Sequence, residues 1–541
     1  MPYSGREYMT MSSESFVAPA ARNATDVYAV HGADPEVLAY AMAKYSRSAL
    51  SMRESLTEIS SQRAEQFLNT FYFQYGHRSI ADLAHIAFAV ERLSLLAAIV
   101  LVDEQRWDGQ ERSTRYQNFL KSGWYFPDFG SDQNSASLYS GTVGNLFSVY
   151  QQTTAAVLAA LEKRIARPES LAPDAYQRTL KARAFDVARY LLPLATNTSL
   201  GQIVNARTLE TQVSRLLTHP AAEVRELGTK LRAAATGAAW NVNQAAGESL
   251  LEKIATLSPD LTEAAAQQLT REVRTAPTLV KYAQPNEYDE RTRAELTQLA
   301  GELLEKLPAT GPTDPVVDLV ERTETLEAEL AATLLYSVSH HSYRRIRDLV
   351  VDLPAARISE IIEVGLRHRG RHDEALRAFH AGAALRFDIL MDIGGFRDMH
   401  RHRRCTQIIQ PFTAQHGYET PTCGDLAEGT DLLAEAGVRE LFTGAIDAAH
   451  AASVGIAASQ APEAAQSALY LLPLATRIRS LFKMDFAEAQ YISELRSGPA
   501  GHFSYRRVAW EMFLAMQRQH PTLARHIRVT DFTEPIDLLK R

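Results

Sequence analysis

Apolar residues recur at spacings of three and four through most of the chain, the signature of helices with one buried face. From Pro35 the pattern runs through Val37, Ala41, Leu50 and Met52. Residues 136–166 predict one long helix that ends before Pro168, and 178–192 a second closed by Pro193. Proline stops a helix because it has no amide hydrogen for the next turn. Helical periodicity returns from Thr208 to about 275, in 290–306, and from Leu326 with few breaks to the end. Residues 276–327 hold Pro277, Pro285, Pro308, Pro312 and Pro315 and read as a boundary region. Residues 1–30, rich in Ser, Ala and Asn and without periodicity, read as a mobile tail. The expected division is a tail at 1–30, a first unit at 31–250, a helical and proline-containing connector at 251–325, and a second unit at 326–541.

Two mostly apolar stretches stand apart, 83–102 and 387–395. The second ends in Phe396-Arg397-Asp398-Met399-His400-Arg401-His402-Arg403-Arg404, with four arginines in eight residues. Arginine offers a planar fork of donors that matches phosphate or carboxylate and stays charged. Two readings fit the run: a solvated basic turn or nucleic-acid patch, and a built anion site. The net charge of −7 disfavours wholesale nucleic-acid binding and leaves a small anion as the better ligand. No apolar run reaches eighteen residues, so no membrane span is expected. The N-terminus shows no basic segment followed by an apolar one, hence no secretory signal. Cys405 and Cys423 cannot build a disulfide framework, which suits a cytoplasmic location. Cys405 reads as a small core residue.

The chain also repeats itself. Leu191-Leu192-Pro193-Leu194-Ala195-Thr196 recurs letter for letter as Leu471-Leu472-Pro473-Leu474-Ala475-Thr476. Tyr45-Ser46-Arg47-Ser48 is echoed by Tyr336-Ser337-Val338-Ser339, and His77 and His85 more weakly by His372 and His380. The echoes keep their order at similar offsets, so a tandem duplication is the economical explanation. The competing reading is two unrelated helical domains.

These residues resemble the flavin-dependent (ThyX-type) thymidylate synthases. That family carries R-H-R, seven residues, then Ser, within a longer motif ending E-x-S-x-R-Y. It also carries H-x-S-x-x-E-H upstream, and A-R-x-x-L-P, N-x-R and a late Arg downstream. Each half of the chain is similar to one diverged copy. The second half keeps Arg401-His402-Arg403, but its Ser position is Pro411. The first half keeps Glu111-Arg112-Ser113-Thr114-Arg115-Tyr116, but its R-H-R position is Asp103-Glu104-Gln105. The first half keeps Arg189 of A-R-x-x-L-P and Asn205-Ala206-Arg207, where the second has Leu469, Asp485 and Ala487. The late Arg survives as Arg496, where the first half has Leu216. Arg367-His368-Arg369 is a second R-H-R, but it precedes His372 and so lies too early in its repeat.

The losses are complementary. In the family the nucleotide site is shared between subunits. Arg401 and Arg496 match one subunit's share; Ser113, Arg115 and Arg189 match the other's. Two halves paired like subunits would assemble one complete site and abandon one. The resemblance implies an α+β fold of two diverged repeats, each a small antiparallel sheet with long flanking helices. It implies reductive methylation of dUMP, with FAD as cofactor and NADPH and methylenetetrahydrofolate as co-substrates, in a homodimer imitating a tetramer. Arg401 and Ser113 take catalytic roles; Ser113, Arg115, Arg189, Arg401 and Arg496 bind the nucleotide. His77, Ser79, Glu111, Asn205, Arg207, Arg401, His402 and Arg403 hold the flavin. No catalytic cysteine and no metal are implied.

The sequence departs from the family at Asp82-Leu83 (for E-H), Gln110 (for Asn) and Asp398 (for the Gln before R-H-R). These swaps leave open an altered pyrimidine one-carbon transferase. Two other classes stay open: a non-catalytic flavin- or nucleotide-binding protein, and a helical nucleic-acid-binding protein. Arg189 and Arg207 also suit ordinary ion pairs, Ser113 a turn, and His77 a structural histidine.

Overall fold

The structure, a computed structural model, describes residues 28–30, 32–44, 50–58, 78–104, 106–120, 122–307, 315–320, 325–368, 376–379, 385–421, 430–524, 527–537 and 539. His77, His372, His380, Cys423, the Tyr45 to Ser48 echo and all of the expected tail but its last three residues lie outside the described residues.

The first half contains β1 (His85–Ser94), α1 (Leu95–Leu101), β2 (Asp108–Glu111), α2 (Gln133–Arg164), α3 (Pro173–Ala188), β3 (Asn197–Asn205), α4 (Ala206–Thr218) and α5 (Ala222–Thr236). Helices Gln244–Leu257, Thr262–Leu269 and Glu287–Leu304 follow. The second half adds β4 (Val317–Leu319), α6 (Leu326–Tyr336) and α7 (Tyr343–Val351). It then repeats the first order with β5 (Leu385–Asp392), α8 (Ile393–Met399), β6 (Thr406–Ile409), α9 (Arg439–Ala457), α10 (Ala464–Leu469), β7 (Arg477–Met484), α11 (Phe486–Ser497) and α12 (Phe503–Gln519). The fold is α+β, with two antiparallel sheets ordered β1-β3-β2 and β4-β5-β7-β6. Apart from the added edge strand β4, the second sheet has the topology of the first.

The long helix predicted at 136–166 spans Gln133–Arg164 and starts where Asp132 accepts the Ser135 amide at 3.0 Å, an N-cap. The nearly unbroken helical reading from Leu326 onward is overturned by β5, β6 and β7. Every residue of β5 is buried, so period-two alternation is absent and a short apolar run looks helical. The stretch 83–102 likewise divides into strand β1 and helix α1.

The two halves meet at the repeated hexapeptide. Leu194 N–H donates to Leu472 O at 2.8 Å, and Leu474 N–H donates to Leu192 O at 2.8 Å. Ala195 donates to Tyr470 O at 2.7 Å and Ala475 to Tyr190 O at 3.0 Å, on either side of a Pro193–Pro473 bridge. Each contact has its mirror, as in the isologous interface of a two-fold dimer. One apolar core spans this junction, with Leu192 and Leu194 from one half and Leu472 and Leu474 from the other. The pattern extends to the helices that follow the first long strands. Ser94 caps α1 and Asp392 caps α8, and both helices hang from the hexapeptides by Leu95 N to Thr196 O and Ile393 N to Thr476 O, each 2.9 Å.

The sheets differ on their outer faces. On β3 Ile203 is 51% exposed, whereas the second sheet's equivalent face carries buried charges. Arg386 and Lys483 pair with Glu329 of α6 at 3.0 and 3.2 Å, and Arg479 pairs with Asp388 at 3.0 Å. Among the described residues, no helix is long and apolar enough to cross a membrane.

Candidate functional site

The basic run grows out of α8. Asp392 caps this helix by accepting the Gly395 amide at 2.6 Å. A Cβ at Gly395 would stand 2.4 Å from Ser504 Oγ, so glycine is what lets α8 lie this close to α12. The run then turns toward the first repeat. Arg397 pairs with Glu111. Arg403 stacks on Trp107, with its guanidinium carbon 4.2 Å from the ring centroid. Arg404 pairs with Asp485 at 3.3 Å on the surface. The solvated-turn reading therefore fails for Arg397 and Arg403, which contact the other half of the chain.

Four arginines converge here, two from each repeat. Arg115 is buried and gives a bidentate fork to Asp186, at 2.8 and 3.2 Å. Its Nη1 donates to the Tyr505 hydroxyl at 2.9 Å, across the repeats. Arg189 is 1% exposed and touches Thr114 Oγ1 at 3.5 Å and Asp398 Oδ2 at 3.4 Å. Among the described residues its Nε and Nη2 have no hydrogen-bond partner, although the buried Asp392 is a charge neighbour. Arg496 lies over the Tyr505 ring at 5.4 Å and donates from Nε to His402 Nε2 at 2.7 Å. Arg401 is exposed at the rim.

Asp398 is the centre of the group. Burial pushes its carboxyl up, but Arg189, Arg115, Arg401 and Arg496 together outweigh that and hold it below the usual carboxylate range. His402 is pushed down to about 3 by burial and by Arg496 and Arg403. The ring is thus neutral, accepts through Nε2 and carries its proton on Nδ1, 3.6 Å from Glu488.

The other expected site residues scatter more. Ser113 is half-buried, and its Oγ accepts the Arg115 amide at 3.2 Å, a local turn bond beside the cluster. Asn205 caps α4 by accepting the Thr208 amide at 2.8 Å, and Asp485 does the same for α11. That shared role accounts for an Asx residue at both positions. Arg207 pairs with Asp82 at 3.4 Å, as does Arg106. Ser79 belongs to the turn Arg78–Leu83. Cys405 is buried, donates to His402 O at 3.1 Å and is pushed up to about 12 by burial, so it stays an inert thiol. Sequence reasoning missed Tyr505, Asp186, Thr114 and Trp107. Trp107 Nε1 donates to Gln202 at 2.6 Å, which fixes the platform under Arg403.

The equivalent corner of the other repeat is built differently. Asp103 stands eight residues past the start of α1, as Arg401 does past the start of α8. Asp103 pairs with Arg377, whose Nη2 also donates to the Asp103 carbonyl at 3.0 Å. Glu104 pairs with Arg215 at 2.7 Å. These pairs line a cleft of about 780 Å³ walled also by Tyr282 and Tyr288.

Residues 29–239 and 319–522 each match the family described as thymidylate synthase complementing protein. The chain is 28% identical over 538 residues to a UPF0159 protein of Chlamydia muridarum, covering 92% of this chain and 91% of the relative. It is 24% identical over 218 residues to a flavin-dependent thymidylate synthase of Clostridium tetani, covering 40% of this chain and 84% of the relative. A solved structure of the flavin-dependent thymidylate synthase ThyX from Helicobacter pylori, complexed with FAD and dUMP, is similar at 17% identity with a TM-score of 0.25, over 37% of this chain and 89% of that one.

Proposed function

The chain belongs to the thymidylate synthase complementing protein family, and from that premise we propose that it is an FAD-dependent enzyme that reductively methylates dUMP to dTMP, with methylenetetrahydrofolate and NADPH as co-substrates. One composite site per chain does this work, shared by the two repeats. The observation that carries the reading is Arg189: a fully buried guanidinium with two unpaired donor nitrogens, inside a group of four arginines drawn from both halves. Buried donors are nearly always satisfied, so these fit a ligand that supplies acceptors. A nucleotide phosphate supplies them.

In this reading Arg189, Arg115 and Arg496 hold the phosphate, and Ser113 adds a hydroxyl. Arg401 at the rim lies beside the pyrimidine and stabilises negative charge as it develops on the ring carbonyls. The residues also fit a flavin. Arg403 and Arg397 each keep an unpaired buried Nε near Trp107 and Glu111, which suits a diphosphate. Arg403 and His402 would hold it, with Arg207 and Glu111 at its margin. FAD, when bound and reduced by NADPH, would supply the hydride. The neutral His402 keeps one ring N–H as donor at every working pH.

The test is an absorbance spectrum of the purified protein followed by titration with dUMP. A flavin band that shifts on adding dUMP, with NADPH oxidation dependent on dUMP, supports the reading. A colourless protein that FAD does not reconstitute overturns it.

A further inference from the structure

The arginine cluster carries its own counter-ions. Asp186 neutralises Arg115 through two hydrogen bonds. Asp398 pairs with Arg189 at 3.4 Å and keeps 18% of its side chain exposed, so it is within reach of a ligand held by the cluster. His402 meets Arg496 as a neutral acceptor. Four guanidiniums stand against Asp186, Asp398 and the buried Asp392 beside Arg189, and burial pushes Asp392 up toward its neutral form; with Asp392 protonated the cluster keeps two positive charges. A phosphate monoester carries about −1.5 to −2 at neutral pH. A pyrophosphate ester carries more.

We propose that Asp398 sets the charge class of the ligand, matching the pocket to a phosphate monoester dianion and disfavouring pyrophosphate-bearing nucleotides. This rests on the nucleotide reading above and names the residue that restricts it. A carboxylate accepts hydrogen bonds and donates none. It orders Arg189 before a ligand arrives, and it repels each further negative charge brought into the cluster. A neutral side chain of the same shape removes that repulsion and raises the net positive charge of the cluster by one. The gain then grows with the charge of the anion.

The experiment is calorimetric titration of the full chain with inorganic phosphate and pyrophosphate, beside dUMP and dUDP, for the wild type, Asp398→Asn and Asp398→Glu. Asp398→Asn is expected to bind phosphate about 10-fold and pyrophosphate about 100-fold more tightly, since a like charge a few ångströms away is worth a few kcal/mol at a protein surface. Asp398→Glu keeps the charge and should retain the wild-type preference for phosphate. An unchanged phosphate-to-pyrophosphate ratio in Asp398→Asn, weaker binding of both, or no binding of either by any variant overturns the proposal. The inorganic probes need no pyrimidine, so the two readings fail separately. The expected change with phosphate and pyrophosphate, but no binding of dUMP, sinks the pyrimidine assignment alone. Tight dUMP binding with no response to Asp398→Asn sinks the charge role alone.

Discussion

The corner around Asp398 and the corner around Asp103 occupy equivalent places in two copies of one fold, and they hold opposite chemistry. The first gathers Arg115, Arg189, Arg401 and Arg496 about Asp398, with Asp186 and Asp392 beside them, and among the described residues leaves buried donors of Arg189 without hydrogen bonds. The second replaces Arg401 by Asp103 and Arg189 by Leu469, and closes its charges into pairs with Arg377 and Arg215. Unspent hydrogen-bonding capacity costs stability and is kept where a ligand uses it. The Asp103–Arg377 pair ties the two halves together, and the Glu104–Arg215 pair closes the corner within the first half. Under the proposed reading, a duplicated chain whose copies face each other permanently needs only one working site, and the Asp103 corner serves as structure.

The largest expected effect breaks that contrast at its strongest point. Arg189→Met should weaken dUMP binding on the order of 100-fold, because truncating one partner of a buried charge contact costs several kcal/mol. The matching change Leu469→Met should leave it within twofold. Calorimetric titration reads both, and equal losses would erase the distinction between the corners.

Asp103→Asn reverses the pattern. It should lower unfolding stability by about 2 kcal/mol, less than for a fully buried pair because Asp103 and Arg377 keep 24% and 25% exposure. Nucleotide binding should stay within twofold. Urea denaturation checks the first statement and titration the second.

Proton linkage gives a smaller effect. His402 and His416 are buried and pushed down to about 3. The unfolded chain protonates both near pH 6.5, so it binds more protons below that pH. Their contribution to stability is therefore full above about pH 6.5 and falls as the pH drops toward 3. The loss approaches about 1.4 kcal/mol per pH unit for each ring. His402→Gln should flatten the fall between pH 6.5 and 5, and a slope unchanged by that variant would show that His402 protonates normally in the fold. Glu104, its counterpart, is pushed up by burial despite Arg215, so the two corners respond to acid through different groups.

Cys405→Ala should do least: about 1 kcal/mol of stability for a small buried side chain, with flavin content and dUMP affinity unchanged. A loss of turnover without unfolding would return Cys405 to the chemistry.

Much of this contrast was legible in the residues. The repeated hexapeptide marked the duplication, and it is where the halves exchange mirrored hydrogen bonds. The sorting of motif residues between halves pointed to a meeting of Arg115 and Arg189 with Arg401 and Arg496, and those four surround Asp398. Other features had no local signal. Tyr505 reaches Arg115 across 390 residues of sequence, and nothing around it marks that contact. Asp186 looks like an ordinary polar position on a helix until Arg115 folds onto it. β5 and β7 hide because both faces are buried, and the charges on one face, Arg386, Asp388, Arg479 and Lys483, pair within the core rather than marking a wet side.

The central claim is one composite site per chain. The most direct measurement is the stoichiometry of dUMP binding by calorimetry on the wild type, Ser113→Ala and Arg401→Ala. The expected result is one nucleotide per chain, lost in both variants although the two residues belong to different halves. Two nucleotides per chain, or full binding retained in either variant, would contradict it.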